Sequence, residues 1–304
     1  MSQPLERLAA FDPIGARHSS SGAGASGRYL LLDVFSERPL EGNQLAVFTD
    51  ARGIEEEQMQ RLARELGLSE TVFVLPAQQG GEVAIRIFTP AVEMPFAGHP
   101  VLGTAIVVAS ALQLEAVTLE TQMGPVSVRV RHEDGLAVSG WMAQPVPSWA
   151  PFEREQELLR ALGVARATLP VEVYDNGPQH VLVALESPEV VTGLGPDLQA
   201  LASLGKLNVS CFGGAGRHWR TRMFAPALGV PEDPATGSAA GPLALHLARH
   251  GLIAFGEEIE ISQGSEISRP SLLYAFAAGS AERVQSVEVG GSAVIVAGGE
   301  FLLG

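Results

Sequence analysis

The amino-acid sequence predicts an α+β fold made of two similar lobes. The main observation is an internal duplication of residues 86–109 in residues 222–248. Each copy begins with the end of a predicted strand, where arginine is followed by an aliphatic residue or methionine, phenylalanine, a small residue and proline. A proline-rich loop then leads to a glycine turn, and the copy ends in an apolar run of helical length. Two copies are too few for a solenoid, so we expect two lobes that face each other. Strands and long helices do not alternate regularly, which disfavours a parallel doubly wound sheet.

The first half of the chain is rich in predicted strands. We expect strands at residues 28–35, 45–48, 71–76, 83–90, 118–124, 126–135 and 136–144. A helix is predicted at about 54–66, because acidic residues open the segment, basic residues follow, and Gly67 ends it. The apolar run after Gly98 predicts a second, buried helix.

The second half repeats this order. A helix is predicted over residues 153–162, ending at Gly163, and a strand, Asn/Gly turn and strand over 171–185 resemble residues 33–48. A short helix is expected near 197–204, a strand at 208–212, and strands in the remaining tail. The proline-rich passage at 144–151 predicts the crossing between lobes. We therefore assign a flexible N-terminal tail to residues 1–27, the N-terminal lobe to 28–147 and the C-terminal lobe to 148–304.

The composition limits the classes of partner. The 304-residue chain carries a formal net charge of −14, which opposes binding to nucleic acid or to an anionic membrane, so we expect neither. Cys211 is the single cysteine, which excludes a disulfide framework and a mechanism based on two thiols. Apolar runs fall short of the roughly 18–20 residues of a membrane span, and the N-terminal residues do not resemble a secretory signal. The expected location is therefore the cytoplasm.

Both duplicated turns have the features of an anion site. Gly98-His99 and Gly237-Ser238 each stand where a helix begins, and the first turn of a helix leaves backbone amides without partners inside the helix. Two lobes would direct two such sites at one cleft. The polar residues that differ between the copies, His99 against Asp233 and Ser238, would let the duplicated scaffold treat one substrate asymmetrically.

Glu70 is the strongest candidate for proton transfer. It lies at the entrance of a predicted strand, between Leu68 and the apolar pair Val72-Phe73. Desolvation there would raise its proton affinity toward the range that acid-base catalysis needs. The alternative is an ordinary glutamate at a strand edge that points into water.

Asp233 and His99 each have a structural alternative. Asp233 stands just before a helix start, where an aspartate often caps the helix or forms a turn, and Thr236 or Ser238 would compete for the capping role. A histidine just inside a helix start is disfavoured when charged, so a working His99 would be neutral. Their matching positions in the two copies favour one shared cleft.

A metal site is not expected. His246 and His250 are spaced i, i+4, but the residues between them include no catalytic glutamate, and the sequence shows no third ligand. The glycine-rich run CFGGAGR at 211–217 lacks the spacing of a dinucleotide fingerprint and is interpreted as a loop. We therefore expect no cofactor.

The motifs resemble those of a known family. EGNQLAVF, LSETVF, RIFTPAVEMPFAGHPVLGTA, LETQMG, NGPQHV and EDPATGSAAGPLA are similar to segments of the PhzF family of phenazine-biosynthesis isomerases, whose fold is similar to that of diaminopimelate epimerase. The resemblance covers about nine tenths of the chain, from about Tyr29 onward, and residues 1–27 are extra. Gln44 departs from the family, since proline often follows the Gly-Asn pair there.

The resemblance implies a diaminopimelate-epimerase-like fold in which each lobe is a mixed β-barrel around a central helix. It further implies that the lobes exchange their last strands and that the enzyme is a homodimer. The implied reaction is the cofactor-independent isomerisation of trans-2,3-dihydro-3-hydroxyanthranilate to an aminoketone. An alternative is a related small-molecule isomerase or an amino-acid epimerase of the same fold.

The resemblance also implies roles for residues of the matched motifs. Glu70 would move the proton, and Asp233 and His99 would assist as catalytic residues. The remaining site residues would hold the substrate carboxylate: Asn43, Gly98, Gly237 and Ser238. Diaminopimelate epimerase uses two cysteines as acid and base, whereas this chain has only Cys211, so its chemistry must use carboxylates.

Overall fold

The computed structural model describes residues 3–12 and 27–303. The chain divides into two compact units. Unit 1 consists of residues 1–142 and 291–304, and unit 2 consists of residues 143–290. The final strand of the chain is therefore shared by the two units.

Unit 1 is a mixed sheet that curls around one helix. Its helices are α1 (Gln3–Ala10), α2 (Glu56–Leu66) and α3 (Gly98–Leu112). Its strands are β1 (Gly27–Val34), β2 (Asn43–Phe48), β3 (Glu70–Pro76), β4 (Val83–Phe88), β5 (Glu93–Met94), β6 (Ala116–Thr121), β7 (Gly124–Glu133) and β8 (Leu136–Gln144), whose last two residues belong to unit 2. The C-terminal part of the chain's last strand pairs with β1, and the order continues through β2, β3, β4, β6, β7 and β8.

Unit 2 repeats this plan. Its helices are α4 (Glu155–Leu162), α5 (Pro188–Thr192), α6 (Leu198–Ser203) and α7 (Gly237–Arg249), with short 3-10 helices at Pro226–Leu228 and Ser265–Ile267. Its strands are β9 (Ser148–Pro151), β10 (Glu172–Asp175), β11 (Gln179–Ala184), β12 (Asn208–Ala215), β13 (His218–Ala225), β14 (Val230–Asp233), β15 (Ile259–Gln263), β16 (Ser271–Gly279) and β17 (Val284–Phe301), of which residues 284–290 belong here. The order is β9, β10, β11, β12, β13, β15, β16 and β17.

The strand directions confirm the duplication. In unit 1, β2 pairs with β3 and β4 pairs with β6 in parallel, whereas the other pairs are antiparallel. In unit 2, the parallel pairs are β11 with β12 and β13 with β15, at the matching positions. The predicted α+β fold of two similar mixed sheets, each with a central helix, is confirmed.

The central helices are buried because their sequences are apolar on every side. Among the residues of α3, only Ala111 is not buried, and α7 is buried from Gly237 to Ala248. A helix without a polar face is stable only inside a core. Helix α3 packs against β1, β2, β3, β6 and β7, and α7 packs against β11 and β16.

One glycine in each central helix permits the close approach of a strand. A Cβ on Gly103 would lie 2.6 Å from Leu45 Cδ2 and 2.8 Å from Val34 Cγ2. A Cβ on Gly241 would meet the Gln144 side chain and, at 2.5 Å, Val287 Cγ1. Any larger residue at these two positions would push the neighbouring side chains apart.

A matched arginine clamp holds the loop before each central helix. Arg86 of β4 donates two hydrogen bonds of 2.6 Å to Glu93 of β5, and its guanidinium lies 5.1 Å from the ring centre of Phe88. Arg222 of β13 pairs with Glu232 of β14 at 2.9 and 2.8 Å. These contacts explain the Arg-x-Phe pattern in both copies: the arginine fixes the loop through its glutamate partner, and its side chain is 24% exposed in Arg86 and 9% exposed in Arg222.

The N-terminal segment differs from the prediction of a flexible tail over residues 1–27. Gln3–Ala10 forms helix α1, in which Leu8 is fully buried. Arg7 donates to the carbonyl of Ala111 at 2.9 Å, and Arg28 donates to the carbonyl of Ala9 at 2.7 Å. An apolar contact and carbonyl acceptors therefore tie this helix to unit 1. Residues 1–2 and 13–26 of the predicted tail lie outside the described residues.

Candidate active site

In unit 1, the structure brings together Glu70 and His99, which are 29 positions apart in the sequence. Glu70 is the first residue of β3 and pairs with Leu45 of the parallel strand β2. His99 is the second residue of α3. Glu70 Oε2 lies 3.5 Å from His99 Nε2, and the two side chains are 18% and 5% exposed. The start of β3 and the start of the central helix thus place a carboxylate against an imidazole.

The His99 ring is neutral. Burial lowers its pKa from 6.5 to about 3, although a hydrogen bond with the backbone of Gln44 opposes this shift. Within the described part of the chain Nε2 makes no hydrogen bond, so the bond to Gln44 uses Nδ1 as donor. The Nε2 lone pair therefore faces Glu70, and a proton between the two groups must come from the carboxyl group or from a substrate.

The predicted binding residues of unit 1 surround this pair. Asn43 opens β2, is 1% exposed, and accepts a long hydrogen bond of 3.5 Å from Ser69, the neighbour of Glu70. Gly98 begins α3, where the N-cap residue Ala97 has no side-chain oxygen to cap the helix. The N-cap side chain therefore accepts no hydrogen bond from the first backbone amides of α3.

In unit 2, Asp233 belongs to a buried polar network. Asp233 ends β14 and is 7% exposed. Thr236 donates its hydroxyl to Asp233 Oδ2 at 2.6 Å, and Gln263, the last residue of β15, donates to the Asp233 carbonyl at 2.8 Å. The N-cap residue of α7 is Thr236, and its side chain makes no capping bond to the helix.

Gly237 and Ser238 begin α7, and two buried amide side chains hold them through their carbonyls. Gln144 donates to the carbonyl of Gly237 at 2.8 Å, and Asn176 donates to that of Ser238 at 3.0 Å. Because these hydrogen bonds are accepted by carbonyl groups, they orient the start of α7 and do not involve its backbone amides.

Four buried residues next to the predicted site were missed in the sequence: Gln144, Asn176, Thr236 as a partner of Asp233, and Gln263. A signal existed for Asn176, because the strand, Asn/Gly turn and strand around it repeat the segment that carries Asn43. Gln144 and Gln263 stand at strand ends with no distinguishing pattern. The structure thus forms two groups, one in each unit: Asn43, Glu70, Gly98 and His99 in unit 1, and Asp233, Gly237 and Ser238 in unit 2.

The histidines that the sequence analysis rejected as metal ligands do meet a third group. Glu172 Oε2 lies 3.1 Å from His246 Nδ1 and 3.2 Å from His250 Nε2. However, Arg249 Nη1 contacts the same oxygen at 2.7 Å, and Tyr174 donates to it at 3.0 Å.

A resident cation fits this cluster poorly. A metal ion would lie beside the positively charged Arg249 guanidinium. In addition, metal-bound histidines usually donate their second ring nitrogen to a hydrogen-bond acceptor, whereas His246 Nε2 has no such acceptor among the described residues. Burial opposes ionisation of Glu172, yet hydrogen bonds from His246, Arg249 and His250 hold its pKa far below the usual range. We assign the cluster as an ion-pair network that anchors the end of α7 to β10.

Cys211 takes no part in either group. It is fully buried in the core of unit 2, and burial raises the pKa of its thiol to about 12. The side chain is therefore a neutral thiol at physiological pH, as expected of a cysteine packed as an apolar residue.

Across the described ranges, none of the helices has the length and apolar character needed to cross a membrane.

Comparison with known proteins places the chain in a family. The model of the PhzC-PhzF family, described as phenazine biosynthesis-like protein, matches residues 32–299. The trans-2,3-dihydro-3-hydroxyanthranilate isomerase of Pseudomonas aeruginosa is 54% identical over 276 residues, which cover 91% of this chain and 99% of the relative.

Solved structures agree with this result. A PhzF-family phenazine biosynthesis protein from Bacillus anthracis superposes with a TM-score of 0.79 at 25% identity, covering 91% of this chain and 99% of the other. A predicted epimerase from Pseudomonas aeruginosa has the same TM-score of 0.79 at 34% identity, covering 92% and 100%. The fold and these relatives define an isomerase with a duplicated two-unit architecture. The chain belongs to the PhzC-PhzF family.

Proposed function

We propose that this protein isomerises trans-2,3-dihydro-3-hydroxyanthranilate to an aminoketone in phenazine biosynthesis, without a cofactor. The observation that carries the proposal is the 54% identity, over nearly the full length of both chains, to an isomerase named for this substrate. The Glu70–His99 pair supplies groups suited to a proton shift. Substrate and product are isomers: a hydrogen moves from the carbon that bears the hydroxyl to the carbon that bears the carboxylate, and the resulting enol then becomes the ketone by losing its hydroxyl proton and gaining one on a ring carbon. Acid-base chemistry is therefore sufficient.

In this proposal Glu70 takes the proton from the ring carbon that bears the hydroxyl and returns it to the carbon that bears the carboxylate. One base on one face of the ring is enough when both carbons are within its reach. The neutral state of His99 supports this role, because a histidinium at 3.5 Å would stabilise the carboxylate and weaken it as a base.

Asp233 and His99 are proposed to orient the substrate amine and hydroxyl and to assist the final enol-to-ketone step. The substrate carboxylate is proposed to bind the backbone amides at Gly98 and at Gly237-Ser238, with Asn43 beside them. The support for this assignment is chemical: both helix starts carry partial positive charge and suit an anion.

The proposal is tested by proton NMR of the purified protein with the substrate in deuterated water. We expect the substrate signals to disappear in proportion to the enzyme present, with the aminoketone or its condensation products appearing and deuterium from solvent entering the ring carbon that is protonated in the enol-to-ketone step. A protein that leaves the substrate unchanged contradicts the proposal.

The rival function is epimerisation of an amino acid on the same fold, and the 34% identity to a predicted epimerase favours it as the second candidate. An epimerase would exchange the α-hydrogen of an amino acid for deuterium. Incubation with a panel of free amino acids in deuterated water therefore distinguishes the two functions. Exchange in any of them, without turnover of the dihydro-hydroxyanthranilate, supports the rival.

A homodimer in the cytoplasm is also part of the proposal. Its support is the resemblance to PhzF enzymes together with a composition that holds a single, buried cysteine. The net charge of −14 supports a small-molecule substrate over a nucleic acid. Light scattering coupled to size-exclusion chromatography tests the dimer, and a monomer mass at micromolar concentration would contradict it.

A further inference from the structure

A directed chain of hydrogen bonds leads from Gln263 through Thr236 to Asp233. Gln263 Nε2 lies 3.0 Å from Thr236 Oγ1, which lies 2.6 Å from Asp233 Oδ2. The three residues are 3%, 8% and 7% exposed, respectively. Water competes little for the bonds at such burial, so the protein itself sets their direction.

The donors and acceptors fit in one arrangement only. The Gln263 amide nitrogen only donates, and it serves both the Asp233 carbonyl and Thr236 Oγ1. Its oxygen accepts from the hydroxyl of Thr221 at 3.0 Å and from the Thr236 backbone amide at 3.3 Å. A flipped amide would place oxygen against the Asp233 carbonyl and nitrogen against a backbone donor.

This arrangement determines where the Thr236 proton points. Because Gln263 donates to Thr236 Oγ1, the single hydroxyl proton of Thr236 is directed to Asp233 Oδ2. A carboxylate oxygen that accepts a buried hydroxyl proton favours the ionised state and keeps a fixed orientation.

The first copy of the duplication lacks this chain. The N-cap position held by Thr236 in unit 2 is held by Ala97 in unit 1, which has no hydroxyl. The last residue of β6, in the place of Gln263, is Thr121, and its hydroxyl donates to the carbonyl of Gly124 in the following turn. The chain is therefore not a general requirement of the fold, since it accompanies the one copy that carries Asp233.

We infer that Gln263 is a positioning residue for catalysis, which acts through Thr236 to hold the Asp233 carboxylate ionised and correctly oriented toward the substrate. This inference rests on the proposed role of Asp233. Gln263 itself is assigned no contact with the substrate.

The test uses variants of nearly equal size. Thr236→Val removes the hydroxyl, Thr236→Ser keeps it, and Gln263→Glu replaces the amide donor by an acceptor so that the Thr236 proton is drawn away from Asp233. We expect kcat to fall about tenfold in Thr236→Val and Gln263→Glu with KM nearly unchanged, which is the size of effect that one buried hydrogen bond produces. Thr236→Ser should keep most of the parental kcat.

A second measurement does not depend on turnover. With aspartate labelled by 13C in the carboxyl group, and with the Asp233 signal assigned from Asp233→Asn, the titration midpoint of Asp233 should rise by about one pH unit in Thr236→Val and stay parental in Thr236→Ser. If the parent protein fails to convert the dihydro-hydroxyanthranilate, the proposed function fails, while this titration still tests the hydrogen-bond chain.

The inference is overturned by any of three results in variants that keep the parental circular dichroism spectrum. The first is an unchanged Asp233 midpoint in Thr236→Val. The second is an unchanged kcat in both Thr236→Val and Gln263→Glu. The third is a loss in Thr236→Ser as large as that in Thr236→Val, since a loss that a retained hydroxyl cannot prevent reflects packing alone.

Discussion

Acidification from pH 7 to pH 5 should destabilise the folded protein through buried neutral histidines. His99 and His180 are 5% and 1% exposed, and burial lowers their pKa values from 6.5 to about 3 and about 4. Neither nitrogen of His180 makes a hydrogen bond within the described ranges, and the attraction of Asp175 offsets the effect of burial on its pKa only in part. The unfolded chain can protonate these rings at pH 5, whereas the folded chain cannot.

The sign and size follow from the two pKa values. A folded pKa below the unfolded value means that the stabilisation is complete above about pH 6.5 and is lost as the pH falls toward 3 to 4. A pH of 5 lies about 1.5 units below the pKa of each histidine in the unfolded chain, which corresponds to about 2 kcal/mol per histidine at 1.36 kcal/mol per unit. Burial also lowers the pKa of His246, which acts in the same direction. We expect a loss of at least about 4 kcal/mol in the free energy of unfolding.

The assay is urea unfolding at pH 7, 6 and 5, followed by tryptophan fluorescence. His180→Leu should reduce the loss between pH 7 and pH 5 by about 2 kcal/mol, because one titrating ring has been removed. A matched control is His218→Gln, whose parent side chain is 78% exposed and which should leave the pH dependence unchanged. A parent protein equally stable at pH 5 and pH 7, or a His180→Leu variant with the parental pH dependence, would refute the reasoning.

Two further predictions test the duplicated features of the fold. Arg222→Met should lower the free energy of unfolding, measured by urea unfolding, by about 3 kcal/mol, because it leaves Glu232 without its guanidinium partner. The control is Arg154→Met in the exposed pair Arg154–Glu157, which should change the free energy of unfolding little. Gly103→Ala should cost about 1–3 kcal/mol in the same assay because its Cβ would meet Leu45 and Val34, whereas Gly195→Ala, with no atom within 4 Å of the added carbon, should be nearly neutral.

The sequence predicted those parts of the fold that depend on local patterns. The duplicated segments, the central helices after Gly98 and at Gly237, and the helix ends at Gly67 and Gly163 are confirmed, because apolar runs and glycine positions are written in the chain itself. Helix α1 was not predicted, because the glycine- and serine-rich stretch that follows it is typical of a flexible tail, whereas the Leu8 side chain is in fact buried.

The candidate site could be predicted only where a residue belonged to a duplicated motif. Glu70, His99 and Asp233 stand beside such motifs, whereas Gln263 and Glu172 reach their partners through strand pairing and helix packing. Glu172 is 74 positions from His246, and Gln263 is 30 from Asp233, distances that no local pattern spans. Nor does the sequence reveal that His99 Nδ1 is used by the backbone of Gln44, which fixes the direction of the lone pair toward Glu70.

The most direct test of the account is the turnover of trans-2,3-dihydro-3-hydroxyanthranilate by Glu70→Gln, compared with the parent and with Glu65→Gln, a change of an exposed glutamate on α2. Glutamine has nearly the shape of glutamate but cannot accept the proton, so we expect kcat to fall by about a hundred- to ten-thousandfold while the folded spectrum is retained. Glu65→Gln should behave as the parent does. A Glu70→Gln variant that converts the substrate at the parental rate would contradict the assignment of Glu70 as the proton-transferring group.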